Sequence, residues 1–265
     1  MSTNPYAAPK AQVADETIVL RGSFIPEGRR VASGNGWTWI TDAWSIFRAE
    51  AGTWIGMVLL FAVIFIVLGM IPLVGPIASM VLGPVFTAGL VIAARTIDQG
   101  GDMQFSQLFA GFRHRFGTLA TVGALYLGGF LAIIVIVSVF TGAGLFGLMM
   151  GATQPTAEDM VKVGAALAIG ILLMLALLLP LIMAIWFAPP LVVFHELGAV
   201  EAMQRSFVGC LRNMLPFLLY GVVLLVAGVI ASIPLFLGWL VLGPVIGASV
   251  YTSYRDIYFA DDAAG

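Results

Sequence analysis

The chain is 265 residues long, 60% apolar and only 10% charged, with a net charge of −2 and a mean hydropathy of +1.04. Those values exclude an ordinary soluble domain, and with no basic run nucleic acid has nothing to bind. The single cysteine, Cys210, excludes an internal disulfide framework.

Charge is absent from four intervals: no Asp, Glu, Lys or Arg lies in 51–94, 116–157, 163–195 or 213–254. A helix needs roughly 20 apolar residues to cross about 30 Å of hydrocarbon. The first and last intervals are long enough for two such helices each and the middle two for one each, which predicts six spans.

Residues 1–35 are polar and dotted with Ala, Pro and Gly, without a sustained period, so a largely disordered tail is expected. The N-terminus lacks the basic-then-apolar order of a secretory signal, and the first span is expected to serve as its own targeting signal. From Trp37 the period becomes helical. Trp37, Ile40, Trp44 and Phe47 share one face and Thr41, Asp42, Ser45 and Arg48 the other, the pattern of a helix lying in the membrane interface. Spans follow at about 53–71 and 77–95, turned by Pro72–Pro76.

After Gly100–Gly101, Asp102 is the expected N-cap of a second amphipathic helix carrying Phe105, Leu108, Phe109, Phe112 and Phe116. Spans at about 118–141 and 162–187 flank a polar loop. A third amphipathic helix, about 199–213, sets Val200, Met203, Phe207 and Leu211 against Glu201 and Arg205. Spans at about 215–233 and 236–255 complete the membrane domain, 36–258, and 259–265 form a short tail.

The chain repeats itself. Val81-Leu82-Gly83-Pro84-Val85 and Val241-Leu242-Gly243-Pro244-Val245 lie 160 positions apart (241 less 81), and Arg95 and Arg255 close the two segments at the same offset. Upstream the offset widens slightly, as trimmed copies of one unit would show. The expected fold is therefore all-α membrane: six transmembrane helices in parallel hairpin repeats, about 37–95, 103–188 and 199–255, each preceded by a cytoplasmic amphipathic helix. The middle copy rests on the thinner likeness of Phe109–Arg113 to Trp44–Arg48 and Val208–Arg212.

Lys10, Arg21, Arg29, Arg30, Arg48, Arg95, Arg113, Arg115, Arg205, Arg212 and Arg255 all fall on one side of the six-span arrangement, and Lys162 on the other. Lys and Arg in short loops mark the cytoplasm, which places both termini inside. Two spans per unit keep every copy in the same direction.

Chemistry-bearing residues are few. His195-Glu196 has no second His four residues on, so the zinc-protease spacing is missing, and an interfacial histidine is the better reading. His114 reads as a headgroup-level side chain and Cys210 as a small apolar residue on a lipid-facing stripe. No span carries an ionisable acid or base of the kind coupled transport uses. What remains are hydroxyls, among them Thr87, Thr121, Tyr220, Ser249 and Thr252, and the prolines Pro84, Pro180, Pro189, Pro190 and Pro244, which kink or end helices. Small residues at Ser79-Gly83-Thr87 and Gly243-Gly247 predict close helix packing. Arg48, Arg95, Arg113, Arg212 and Arg255 are candidate lipid-headgroup contacts, although acids such as Asp42, Asp98, Glu201 and Asp256 balance them on the same face.

Asn4-Pro5-Tyr6-Ala7-Ala8-Pro9, Gly36-Trp37-Thr38-Trp39-Ile40 and Ala248–Ile257 resemble an uncharacterised family of bacterial polytopic inner-membrane proteins, across nearly the whole chain. Trp186-Phe187-Ala188-Pro189-Pro190, followed by Glu201-Ala202-Met203, is similar to the membrane domain of some glycerophosphodiester phosphodiesterases. Their soluble catalytic barrel has no counterpart here, so no activity carries over.

The expected protein is a non-enzymatic, multi-pass component of the bacterial inner membrane. Its role is structural or accessory, in membrane organisation or in a membrane complex. Membrane lipids and another membrane protein are its expected partners, with no cofactor, metal or nucleic acid. The alternative is a permease or lipid-translocating protein for an uncharged or amphipathic substrate.

Overall fold

A computed structural model describes residues 23–151 and 156–259. The expected tail at 1–22, the loop tip at 152–155 and the closing tail from 260 lie outside the described residues. Apolar sequence that cannot hydrogen-bond to lipid closes its backbone bonds within helices, and helix is what the chain forms.

Helix α1 (Asn35–Ala49) precedes a hairpin of α2 (Ala51–Gly69) and α3 (Val74–Asp98). A short 3-10 helix, Phe105–Phe109, and the single turn α4 (Ala110–Arg113) lead into α5 (Phe116–Gly151). α5 pairs with α6 (Ala157–Trp186), which continues after a break at Phe187 as α7 (Ala188–His195). α8 (Ala199–Arg212) precedes a last hairpin of α9 (Met214–Ser232) and α10 (Trp239–Tyr258). The one β contact among the described residues is an antiparallel bridge between Phe24 and Phe259.

Five of these segments are long and apolar enough to cross a membrane: α2, α3, Phe116–Gly142 of α5, Ala157–His195 and α9. α10 is outside this set although it has 20 residues, because its second half carries Ser249, Tyr251, Thr252, Ser253, Tyr254, Arg255 and Asp256. That half is buried from Ala248 to Tyr254 and packs against α1, α2 and α3. The core sits there, around Trp39, Trp54, Met57, Val91, Tyr251 and Tyr254, all at most 2% exposed.

Of the expected repeats, α2 and α9 are both 19 residues long and each enters its turn near a proline. The middle helices, at 36 and 30 residues, match neither outer hairpin.

Three local readings change. Residues 23–34 are not a loose tail but run across the charged end of the bundle: Ile25 N–H donates to Tyr258 O and Arg29 N–H to Ile257 O, both at 2.8 Å. The second amphipathic helix is broken, because Arg115 adopts a positive φ of 60° and the chain turns there. Its start is capped by Gln104 with Gln107, not by Asp102. Its phenylalanines still serve one purpose, since Phe109 and Phe112 pack edge-on to Phe86 of α3 and Phe116 stacks on Phe112.

The close approaches also fall elsewhere than expected. A Cβ added at Gly83 would meet open space, so this glycine is not a packing contact. Gly243 and Gly247 do face neighbours, Val58 and Leu90 with Trp54. Close crossings occur instead at Gly36, whose Cβ would fall on the Pro216 carbonyl, at Gly111 on the Val85 carbonyl and at Gly123 on the Val81 backbone.

Candidate functional site: the charged end of the bundle

Polar side chains gather where α1, α10 and the end of α3 converge. Helix α10 brings Tyr251, Arg255 and Asp256 to this end. Asp256 accepts from Arg29 Nη2 at 3.0 Å, Asn35 Nδ2 at 2.8 Å and Trp39 Nε1 at 2.7 Å. Arg255 pairs with Asp42 of α1 at 2.8 Å and with Asp98 of α3, which also accepts from the Tyr251 hydroxyl at 2.8 Å. Thr252 adds a hydroxyl donation to Trp39 O at 2.8 Å. Burial raises the Asp42 carboxyl above its ordinary 3.8; Arg255 opposes this, while Asp98 and Asp256 add to it. One guanidinium thus holds two carboxylates that would otherwise repel each other.

Asn213, 1% exposed between α8 and α9, anchors the N-terminal segment. Its amide donates to Arg29 O and Gly209 O at 2.9 Å, and its side-chain oxygen accepts from Val31 N–H at 2.9 Å. Arg212 donates to the Glu27 carboxylate at 2.7 Å and to the Glu27 and Gly28 carbonyls at 3.1 Å. Phe24 stacks on His195 at 3.5 Å, and His195 Nε2 lies 2.5 Å from the Tyr254 hydroxyl. His195 is therefore an interior partner that ties α7 to α10 and to the segment above it.

The five arginines expected at headgroups have different surroundings. Arg48 and Arg113 are exposed, with the Arg48 guanidinium 5.9 Å from the Trp44 ring. Arg212 and Arg255 are engaged with acids, as above. Arg95 is only 5% exposed and sits 4.7 Å from the Phe194 ring, inside the bundle. The difference follows from position: α3 runs through the core to Asp98, so its last turn is enclosed by α7 and α10.

Helix α8 shows how an interfacial helix is seated. Ala199, Ala202, Ser206, Gly209 and Cys210 form its buried face. Val200 and Leu211 are exposed at 57% and 49%, on the same face as Met203 and Phe207. Glu201 and Arg205, paired at 2.7 Å, lie on the third. Cys210 therefore points into the protein at 3% exposure, not toward lipid, and burial raises its thiol pKa. α1 repeats the arrangement, with Gly36, Trp39, Ala43 and Ile46 inward and Trp37 and Trp44 outward. The missed signal was the run of small residues at helical spacing beside the large apolar stripe. Small side chains let a helix dock closely on its own protein, while large ones are left for lipid.

Several hydroxyls of the apolar helices are turned to backbone or to one another. Thr87 donates to Gly83 O, Thr121 to Gly117 O and Ser249 to Ile246 O, and Tyr220 meets Ser249 at 2.6 Å.

Membrane-length apolar helices with their polar groups concentrated at one end define an integral membrane protein of the all-α class. The chain is 26% identical over 227 residues to a protein of Burkholderia thailandensis named a probable inner membrane protein, in a match covering 83% of this chain and 82% of that one. No family model and no solved structure matches the chain.

Proposed function

We propose that this is a six-span inner-membrane protein with both termini in the cytoplasm and a non-enzymatic structural or accessory role. The observation that carries the topology is the contact between the chain's two ends. Arg29 and Asp256 form an ion pair at 3.0 Å, so both lie on one side of the membrane and an even number of crossings separates them. Five segments qualify on hydropathy, and α10, 20 residues or about 30 Å long, supplies the sixth. The other contacts agree with this count. Asp98 meets Arg255, and Arg115 donates to Glu196 O, each requiring an even number of crossings between its partners. The arginine excess on this side favours the cytoplasm.

Support for an accessory role comes from Thr87, Thr121 and Ser249, whose hydroxyls close on carbonyls, and from Arg255 and Asp256, whose charges are paired within the protein. The alternative, a permease or lipid translocator, draws on Pro84, Pro180 and Pro244 inside α3, α6 and α10. The local likeness to phosphodiesterase membrane domains contributes no activity to either reading.

A reporter active only outside the cytoplasm should give signal when inserted in 142–160 and none at 100–112 or the C-terminus. Signal at the C-terminus would end the six-span arrangement. Purification in mild detergent should retain a protein or lipid partner. Protein-dependent solute uptake by reconstituted vesicles would instead favour the permease.

A further inference from the structure

Two grooves meet on either side of Gln204. The first, about 370 Å³, is apolar and is lined by Leu125 of α5, Ala184 of α6 and Val200, Met203 and Phe207 of α8. The second, about 460 Å³, is charged and runs past Glu27, Glu201, Arg205 and Arg212. Gln204 lines both, so the apolar and the charged groove adjoin on the surface of α8.

The charges in the second groove alternate. Glu201 pairs with Arg205 at 2.7 Å, and two turns on Arg212 pairs with Glu27 at the same distance. Arg205 and Arg212 are separated by about 10 Å along the helix axis. Both pairs are partly exposed, so neither is held by burial. A purely anionic ligand would meet as many carboxylates as guanidiniums. A ligand bearing one phosphate and one ammonium matches both signs, provided an apolar chain is attached for the adjoining groove.

We propose that this composite groove binds one zwitterionic phospholipid of the phosphatidylethanolamine type. Its phosphate lies toward Arg205 and Arg212, its ammonium toward Glu201 and Glu27, and an acyl chain lies along Val200, Met203 and Phe207. A primary ammonium donates hydrogen bonds to carboxylates, which a choline headgroup cannot do. The site thus selects ethanolamine over choline, and its acids select against glycerol headgroups carrying a net negative charge. This deepens the lipid-facing accessory role proposed above and rests on α8 lying in the membrane interface.

The test uses the full chain purified in detergent and offered equal amounts of phosphatidylethanolamine, phosphatidylcholine and phosphatidylglycerol, with bound lipid counted by native mass spectrometry. One ethanolamine lipid should be retained about three- to fivefold over either competitor, the preference a solvent-exposed charge contact supports. The double variant Glu27→Gln, Glu201→Gln should abolish the preference over choline. Arg205→Gln with Arg212→Gln should lower retention of both. Val200→Trp, which fills the apolar groove, should lower ethanolamine retention with the headgroup patch intact. Equal retention of all three lipids, preference for the glycerol lipid, or a preference unchanged in the glutamate variant would overturn the proposal. Release of the protein from membranes by alkaline carbonate would instead end the membrane reading itself, which separates the two failures.

Discussion

Helix α3 and the α6–α7 segment are both apolar spans, yet they have opposite surroundings. The most apolar 18-residue window of α3 has a mean hydropathy of 2.1 and is 50% buried within the protein; that of Ala157–His195 has 2.9 and is 6% buried. The more hydrophobic segment is the less covered one. In water that order would be reversed, but lipid removes the hydrophobic incentive to leave solvent, so packing goes to helices with small residues and groups that need polar partners. α10 takes this furthest: it falls short of the hydropathy of a span and supplies the longest buried run, Ala248–Tyr254.

A matched pair of truncations tests this order of burial directly. Trp54→Ala removes a fully buried ring between α2, α3 and α10 and should cost about 3 kcal/mol in a reversible detergent unfolding titration. Leu172→Ala, on the 66%-exposed face of α6, should stay within about 0.5 kcal/mol. Similar losses at both would mean that α6 is covered in the functional state.

Next in size is Asp256→Ala, which strips the acceptor shared by Arg29, Asn35 and Trp39 and should cost about 2 kcal/mol. The same variant should make residues 23–34 sensitive to limited proteolysis while leaving α5 and α6 intact. Gly36→Leu should lower stability by about 1–3 kcal/mol, because its side chain would land on the α9 backbone. Gly83→Leu, facing open space, should be neutral or slightly stabilising through helix propensity. A loss at Gly83 equal to that at Gly36 would place an unseen neighbour against α3.

A smaller effect than at Asp256 or Gly36 is expected at Arg255. A double-mutant cycle between Arg255→Ala and Asp42→Ala should show coupling of about 0.5–1 kcal/mol, since both side chains are near 40% exposed. Coupling should shrink in high salt, and coupling that ignores salt would mean the pair is more enclosed than its exposure implies.

Much of this architecture was legible in the sequence. The charge-free intervals located the apolar helices, and the Trp37 and Val200 stripes located the surface helices. Which side of each helix turns toward protein was not legible from apolar periodicity alone. Cys210 read as part of a lipid-facing stripe, Ala202 and Ser206 carried no packing signal beside Phe207, and Arg95 looked equivalent to Arg255 because both end a repeated segment. Their burial depends on what packs there, Phe194 over Arg95 and Asp98 beside Arg255, which a repeat cannot specify. The docked segment 23–34 escaped notice for another reason. Part of its attachment uses backbone groups of Ile25, Arg29 and Val31, which leave no side-chain signature. Its side-chain contacts, Arg29 with Asp256 and Glu27 with Arg212, join residues 185 or more positions apart that no local period links.

The meeting of Arg29 with Asp256 also sets a clock on biogenesis. Those residues are 227 positions apart, and a ribosome adding about 5–20 residues per second needs on the order of 10–50 s to make the second after the first. Until Arg212 and Asn213 are made the early segment has no docking surface, while the hairpins enter the bilayer one after another. Only when α10 emerges can both ends lock together, so a chain that stops before Tyr258 holds its early segment by the Arg212 and Asn213 contacts alone.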